Sequence, residues 1–188
     1  MKKTNNKGFS LVELIIVIAI MAILAGAIAP ALIRYIDKSR KSNDVSSAKT
    51  IKTAIETAMS NENAYEALTT GTPGTAFNDL DGNSITATAV ITVAPGVTTT
   101  NGGGITITTS GYTDPGNVIN DAKTEIGKNI GEKTPKIAYK KAATSSVKPT
   151  AFYAYISEGG SVIVGLGSAA SSSNTFYQLA PTVSKFYQ

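Results

Sequence analysis

The stretch Lys7-Gly8-Phe9-Ser10-Leu11-Val12-Glu13 marks the point where a short basic leader ends and a long apolar run begins. From Leu14 to Ile33 the chain has 20 consecutive residues without a charge, most of them Leu, Ile, Val, Ala and Met. As an α-helix this run would be roughly 30 Å long, which is about the hydrocarbon thickness of a bilayer. The sequence therefore predicts a helix of membrane-spanning length close to the N-terminus.

A plain membrane anchor and a cleaved secretory signal are the two simplest interpretations of such a run. The small residues at 25–27 or 27–29 could serve as a signal cleavage site. Glu13 argues against both, because an ionised carboxylate near the centre of a bilayer costs at least about 2.5–3.5 kcal/mol, although less near an interface. The apolar helical pattern also continues well past Ile33, which a cleaved signal would not need.

The segment from Gly8 to Leu14 resembles the recognition sequence of type IV prepilins, and the resemblance covers roughly residues 1–40, about a fifth of the chain. It implies that a prepilin peptidase in the membrane removes the leader, residues 1–8, by cutting between Gly8 and Phe9. The same enzyme would then N-methylate Phe9. Glu13 would be the acidic residue that such pilins carry near the start of the mature helix.

The resemblance also implies that the mature helices pack together in an apolar filament core. A free amine or a carboxylate buried there alone would be costly. We therefore predict that Glu13 of an incoming subunit pairs with the Phe9 amine of a neighbour and sets its register. The alternative is that Glu13 only extends to the membrane interface.

Gly26 and Pro30 interrupt the helix pattern and predict a kink, or a segment that unwinds in the filament.

Past the apolar run, apolar residues recur at mostly three- and four-residue steps, which predicts one stripe along a continuing helix. The stripe consists of Ile36, Val45, Ala48, Ile51, Ile55 and Met59. We expect one long helix from about Phe9 to about Asn61, with a membrane or filament-core half (9–33) and an amphipathic half (34–61).

The remainder, residues 62–188, has the alternation and turn residues of a β-rich globular head. The predicted strands are Ile85–Val93, Ile105–Thr108, a weak one at Ile137–Lys141, a hairpin formed by Ala151–Ser157 and Ser161–Gly165, and a last one at Thr175–Leu179. A short helix should begin at Asp114-Pro115 and end at Gly127 or Gly131. We predict an α+β fold in which an antiparallel sheet of about four to six strands packs on the long helix, an architecture that also resembles pilins.

Cysteine and histidine are both absent, so the chain has no disulfide and lacks the commonest general base and metal ligand. We expect no enzymatic activity, no cofactor and no metal. The one cluster of oxygen ligands, Asp79, Asp81 and Asn83, fits a hairpin turn better than a calcium site.

Many pilins close a C-terminal loop with a disulfide. In this chain, which has no cysteine, the aromatic residues at the C-terminus are candidates to hold that loop instead. They are Phe176, Tyr177, Phe186 and Tyr187.

These features favour a major-type pilin, inserted in the cell membrane as a single-pass prepilin and then polymerised with copies of itself into a surface filament. Its partners would be the prepilin peptidase and N-methyltransferase and the inner-membrane assembly machinery, and the filament would serve adhesion, motility or biofilm formation. The alternatives are a minor pilin, a type II secretion pseudopilin, or a membrane-anchored or secreted binding protein. No basic patch with interleaved aromatic residues stands out as a DNA-binding surface, and the locally basic segment Lys133–Lys148 is interpreted as a solvated loop.

Overall fold

A computed structural model describes residues 8–74, 76–114, 116–141, 148–169 and 172–188. Residues 1–7 of the predicted leader therefore lie outside the described residues. The chain divides into two compact units, residues 1–39 and residues 40–188. The second unit, which is called the head below, contains the C-terminal part of the long helix, two shorter helices and all of the described strands.

The head and the long helix contain the following elements. The helices are α1 (Leu11–Ala58), α2 (Glu62–Thr69) and α3 (Val118–Ile130), and the strands are β1 (Phe77–Asn78), β2 (Ser84–Ile85), β3 (Ala89–Val93), β4 (Ile105–Thr109), β5 (Ala151–Ile156), β6 (Val162–Gly167) and β7 (Phe176–Ala180). Single 3₁₀ turns lie at Thr100–Gly102 and Lys185–Tyr187.

Helix α1 confirms the prediction of one long helix to within three residues at each end. It ends at Ala58, and Asn61 then starts α2, because its side-chain oxygen accepts hydrogen bonds from the backbone N–H groups of Asn63 (3.0 Å) and Ala64 (3.4 Å). The sequence analysis did not predict α2. Helical structure runs through Gly26 and Pro30 without a break, so the unwinding of this segment in a filament stays a prediction.

The predicted stripe on α1 is correct from Val45 onward. Ala48, Ile51 and Ile55 are fully buried in the head core. Ile36, in the first unit, is instead exposed, with 39 % of its surface accessible. The residues of the stripe are therefore part of the hydrophobic core only from Val45 onward, in the part of α1 that belongs to the head.

Five strands form one antiparallel sheet in the order β4-β3-β5-β6-β7, within the predicted range of four to six. The hairpin of β5 and β6 has the predicted pairing, with Ile156 opposite Val162. Apolar side chains on one face of the sheet, such as Ile91, Ala154 and Val164, share a cluster with the α1 residues. This face-to-helix contact is the main core of the head.

The opposite face of the sheet is covered as well. Phe77 and Ile85, from the small β1–β2 hairpin, pack there with Tyr155 and Phe176. The ring of Tyr155 lies 5.0 Å from that of Phe77 and 4.9 Å from that of Phe176. All six residues of β5 are buried for this reason, since the strand has apolar neighbours on both faces.

Two strand predictions were wrong in detail. Ile85–Val93 is not one strand, because the chain bends at Thr88, whose hydroxyl donates to the carbonyls of Leu68 and Ile156. Ile137–Lys141 is not a strand, because the backbone N–H groups of Ala138 and Tyr139 donate to a carboxylate of α1 and not to a neighbouring strand.

Helix α3 begins at Val118, three residues later than Pro115, which itself lies outside the described residues. Asp114 still caps the N-terminus of α3, because the Asp114 carboxylate accepts hydrogen bonds from the N–H groups of Val118 (2.8 Å) and Ile119 (3.4 Å). The helix ends at Gly131, whose backbone has a positive φ of 111°. The second of the two predicted C-terminal glycines is therefore the correct one.

Candidate assembly site

The large apolar side chains of α1 in the first unit form a continuous exposed surface. Phe9 is 89 % exposed and Leu11 is 73 % exposed, and the other large apolar side chains up to Ile33 are exposed as well. By length and composition, α1 is able to cross a membrane. Exposed apolar area of this extent marks a surface that meets either lipid or other protein.

Glu13 lies in the first turn of α1 and makes a hydrogen bond within its own chain. Its Oε2 atom accepts from the backbone N–H of Ser10 at 3.0 Å. The carbonyl of Ser10 accepts the first helical bond, from the N–H of Leu14, at 3.2 Å. Ser10 is thus the N-cap residue, and Glu13, three residues later, reaches back to it as in a capping box.

This capping role was missed in the sequence analysis, although the signal was present. Ser10-Leu11-Val12-Glu13 matches the Ser-x-x-Glu pattern that precedes an apolar helical run. An acidic side chain near a helix N-terminus is also favoured by the helix dipole. Glu13 therefore has two candidate roles, helix capping within the subunit and charge pairing between subunits, and an experiment must separate them.

The other predicted site residues lie in open positions of the first unit. Gly8 and Phe9 directly precede α1 and are exposed. At Gly8 and at Gly26, an added Cβ would find no heavy atom within 4 Å. Neither glycine is thus required by side-chain packing against the described residues of the subunit.

In the head, a fully buried carboxylate fastens the chain after α3 to α1. Asp44 accepts hydrogen bonds from the backbone N–H groups of Ala138 (2.7 Å) and Tyr139 (2.9 Å), one on each oxygen. The residues it joins are more than 90 positions apart in sequence. The sequence analysis did not predict this contact, because the spacing of residues so far apart carries no signal for it.

The C-terminal residues join the same region through aromatic contacts. The ring of Tyr177 stacks on Phe186 at 5.1 Å, and that of Tyr187 packs edge-on against Tyr139 at 5.8 Å. Lys41 donates to the carbonyl of Phe186 and lies over the ring of the same residue, 4.7 Å from its centroid.

Three of the four predicted aromatic residues, Tyr177, Phe186 and Tyr187, therefore contact one another, and their replacement of a disulfide stays a prediction. Phe176 is the exception among the four predicted residues, because it packs on the other face of the sheet.

The predicted hairpin turn at 79–83 is also confirmed. One oxygen of the buried Asp79 carboxylate accepts from the N–H groups of Asp81 (2.9 Å) and Asn83 (2.8 Å), and the other accepts from the Asn83 side chain. Asp81 in turn accepts from the N–H of Lys185 at 3.2 Å. Among the described residues no group of three or more acidic side chains is placed to hold a metal ion.

Asp44 predicts a pH-dependent contribution to the stability of the head. Burial raises the pKa of its carboxyl above the usual 3.8, and the hydrogen bonds from Ala138 and Tyr139 oppose the rise. Since the pKa is higher in the folded chain, this contribution is complete below pH 3.8 and is lost as the pH rises through the folded-state pKa. We expect the difference in unfolding free energy between wild type and Asp44→Asn to shift in favour of wild type as the pH falls towards that value.

Chemical denaturation of the full-length chain in detergent, followed by tyrosine circular dichroism, measures this difference. Asp121→Asn, at an exposed acid of α3, serves as the control for the loss of one negative charge. A difference that is constant with pH, or that shifts towards the variant in acid, would contradict the prediction.

Comparisons with known proteins bear on the N-terminal segment. Residues 3–29 match the family described as the prokaryotic N-terminal methylation motif. The chain is 44 % identical to the type IV major fimbrial protein FimA of Dichelobacter nodosus over 57 residues. This alignment covers 30 % of this chain and 36 % of FimA. It is also 46 % identical to fimbrial protein Q of Moraxella bovis over 54 residues. This alignment covers 29 % of this chain and 34 % of fimbrial protein Q.

The chain thus carries the methylation motif of type IV prepilins and is homologous, in this segment, to a type IV major fimbrial protein. The matched region spans only about a third of the length of these relatives. No solved structure matches the chain.

Proposed function

We propose that the chain is the structural subunit of a type IV pilus, made as a prepilin and polymerised into a surface filament. The observation that carries this proposal is the methylation motif at residues 3–29, which includes the start of the exposed apolar helix α1. The motif supplies a processing signal, and the helix supplies a surface that needs lipid before assembly and other subunits after it. The two relatives, FimA and fimbrial protein Q, are both fimbrial proteins, which supports the same conclusion.

In this proposal the chain has four segments with different fates. Residues 1–8 are removed as the leader, residues 9–33 cross the membrane and later enter the filament core, residues 34–61 form the amphipathic part of the helix, and residues 62–188 complete the head. The partners are other copies of the chain, the prepilin peptidase and N-methyltransferase, and the inner-membrane assembly machinery. The role is structural and not enzymatic, and the filament serves adhesion, motility or biofilm formation.

Major pilin is favoured over minor pilin or pseudopilin because Glu13 is present and because the relatives include a type IV major fimbrial protein. In immunogold labelling with an antibody against the head, we expect signal along whole filaments. Label confined to filament tips would support the minor-pilin alternative.

The mature N-terminus provides the most direct test of processing. We expect mass spectrometry of filaments sheared from cells to find a first residue Phe9 carrying one extra methyl group, because the cut falls after Gly8 and the new amine is then methylated. The same measurement on cells that lack the peptidase should find the leader intact and serves as the control. An intact Met1 in the surface form, or a start near residues 28–30, would contradict the proposal and favour a plain anchor or a secretory signal.

A further inference from the structure

A groove in the head is lined by three exposed lysines, Lys136, Lys140 and Lys148, and none of its described lining residues is acidic. Its volume is about 550 Å³. Its other lining residues are Pro95, Gly96, Ile137, Pro149 and Thr150. We call this feature the lysine groove.

The positive charge of the lysine groove is not balanced locally. From Gly131 to Thr150 the sequence contains five lysines and one acidic residue, Glu132. Two ion pairs of the head, Lys52 with Glu56 and Lys128 with Glu125, do not involve a groove lysine. Like charges that converge without a counter-charge repel one another, and a bound anion relieves that repulsion.

Hydrogen bonds position the backbone close to each of the three lysines. Beside Lys136, the hydroxyl of Thr134 donates to the carbonyl of Ala94 at 2.5 Å and accepts from the N–H of Val97 at 2.8 Å. Beside Lys140, the N–H groups of Ala138 and Tyr139 are bound by the Asp44 carboxylate.

The third lysine has a similar anchor. Two residues after Lys148, the N–H of Thr150 donates to the carbonyl of Gly167 at 2.8 Å. Each of the three groove lysines is therefore within two residues of a backbone or side-chain hydrogen bond of the head.

A glycine also shapes the groove. Gly96 has a positive φ of 74°, and a Cβ at this position would lie 3.2 Å from Cγ of Lys136. The missing side chain allows the alkyl part of Lys136 to lie across the turn at Pro95-Gly96. This contact limits the directions in which Lys136 can place its ammonium group.

We propose that the lysine groove binds an acidic polysaccharide, that is, a chain of sugars carrying carboxylate or sulfate groups. The volume suits a ligand of a few sugar units and is in the range of small-molecule sites. Lysine ammonium groups act as point charges that suit single anionic groups spaced along a chain. The exposed ring of Pro95 and the hydroxyl of Thr150 add an apolar contact and a hydrogen-bonding group.

Nucleic acid fits the lysine groove less well. In the part of the lining that the structure describes there is no aromatic side chain on which a base could stack, and no arginine. A duplex-binding surface commonly makes about 6–10 phosphate contacts, which three lysines cannot supply. The occupant we infer is therefore a glycan and not a DNA or RNA strand.

The test measures binding of the full-length chain in detergent to immobilised heparin, which is sulfated, and to polygalacturonate, which is carboxylated. Neutral dextran and duplex DNA are the comparison polymers. We expect both acidic glycans to bind more tightly than either comparison polymer. The triple variant Lys136→Gln, Lys140→Gln, Lys148→Gln should weaken glycan binding about tenfold, which corresponds to the loss of three exposed ion pairs.

A matched control keeps the charge change the same. Lys49→Gln, Lys128→Gln and Lys185→Gln together remove three exposed lysines that do not line the groove, and this variant should bind nearly as wild type does. Equal loss in both triple variants, no loss in the groove variant, or duplex DNA bound as tightly as heparin would overturn the proposal. Because the assay uses unassembled chains, its result does not depend on filament formation.

Discussion

Glu13→Ala is expected to abolish surface filaments. In a filament core the methylated amine of Phe9 would lose its counter-charge, and an unpaired charge left in an apolar interior costs about 3–5 kcal/mol. Since every 1.4 kcal/mol is a factor of ten in an equilibrium constant, the yield of sheared filaments should fall about a hundredfold or more. Quantitative immunoblots of the sheared fraction against the whole-cell fraction measure this yield.

Glu13→Gln separates the two roles of this side chain. Glutamine can replace glutamate in a capping box, because its carbonyl oxygen still accepts from the N-cap N–H, here that of Ser10. It carries no charge, however, and cannot neutralise the amine. If charge pairing between subunits is the important role, Glu13→Gln should lose filaments almost as fully as Glu13→Ala does.

The controls decide how a loss of filaments is interpreted. Whole-cell levels and the processed N-terminus must be unchanged, so that the defect lies in assembly and not in synthesis or cleavage. Glu62→Ala removes an acid from the first turn of α2 in the head and should leave the filament yield near that of wild type. Normal filaments in Glu13→Gln would refute the pairing hypothesis and leave Glu13 with its capping role alone.

Asp44→Ala is expected to destabilise the head by about 3 kcal/mol or more. The change removes the acceptor for two backbone N–H groups, those of Ala138 and Tyr139. A donor left unsatisfied in the interior costs about 1–3 kcal/mol. Removing the carboxylate also leaves a cavity where the side chain is fully buried. Denaturant titration of the full-length chain in detergent, followed by tyrosine circular dichroism, gives the change in unfolding free energy.

Asp44→Asn is the companion variant, because its amide keeps one acceptor oxygen and nearly the same volume. At neutral pH we expect a smaller loss for Asp44→Asn than for Asp44→Ala. Asp121→Ala, on an exposed position of α3, should change stability by less than about 0.5 kcal/mol. A small effect of Asp44→Ala would show that residues 138–139 do not depend on this carboxylate for their position.

Contacts of Asp44, of Lys41 and of the C-terminal aromatic residues join distant parts of this cysteine-free chain. The aromatic cluster buries Tyr177 and Tyr187, and Lys41 ties the carbonyl of Phe186 to α1. Burial also raises the pKa of the Tyr187 hydroxyl, with the nearby Asp44 charge adding to the rise. These contacts attach the C-terminal residues and residues 138–139 to α1 without a disulfide. They require the burial of one carboxylate, that of Asp44.

Local patterns were sufficient to predict the long helix, the β5–β6 hairpin and the turn at 79–83. A stripe with steps of three and four residues can be satisfied only by a helix with one buried face. Alternation of side chains around a Gly-Gly turn similarly favours a hairpin, and Asp79 makes its contacts within four residues of its own position. Each of these structures is held by groups that are close in sequence.

The sequence by itself thus determined the motif from Gly8 to Glu13, the helix that follows it and the α+β class of the head. Only the tertiary structure decided that Asp44 binds the backbone of residues 138 and 139, that Thr88 breaks a predicted strand, and that three lysines meet in one groove. The physical reason is that these groups are distant in sequence, so their partners depend on how the chain packs. Even at Glu13 a nearby partner was overlooked, since the structure shows its hydrogen bond to Ser10 beside the predicted pairing with Phe9.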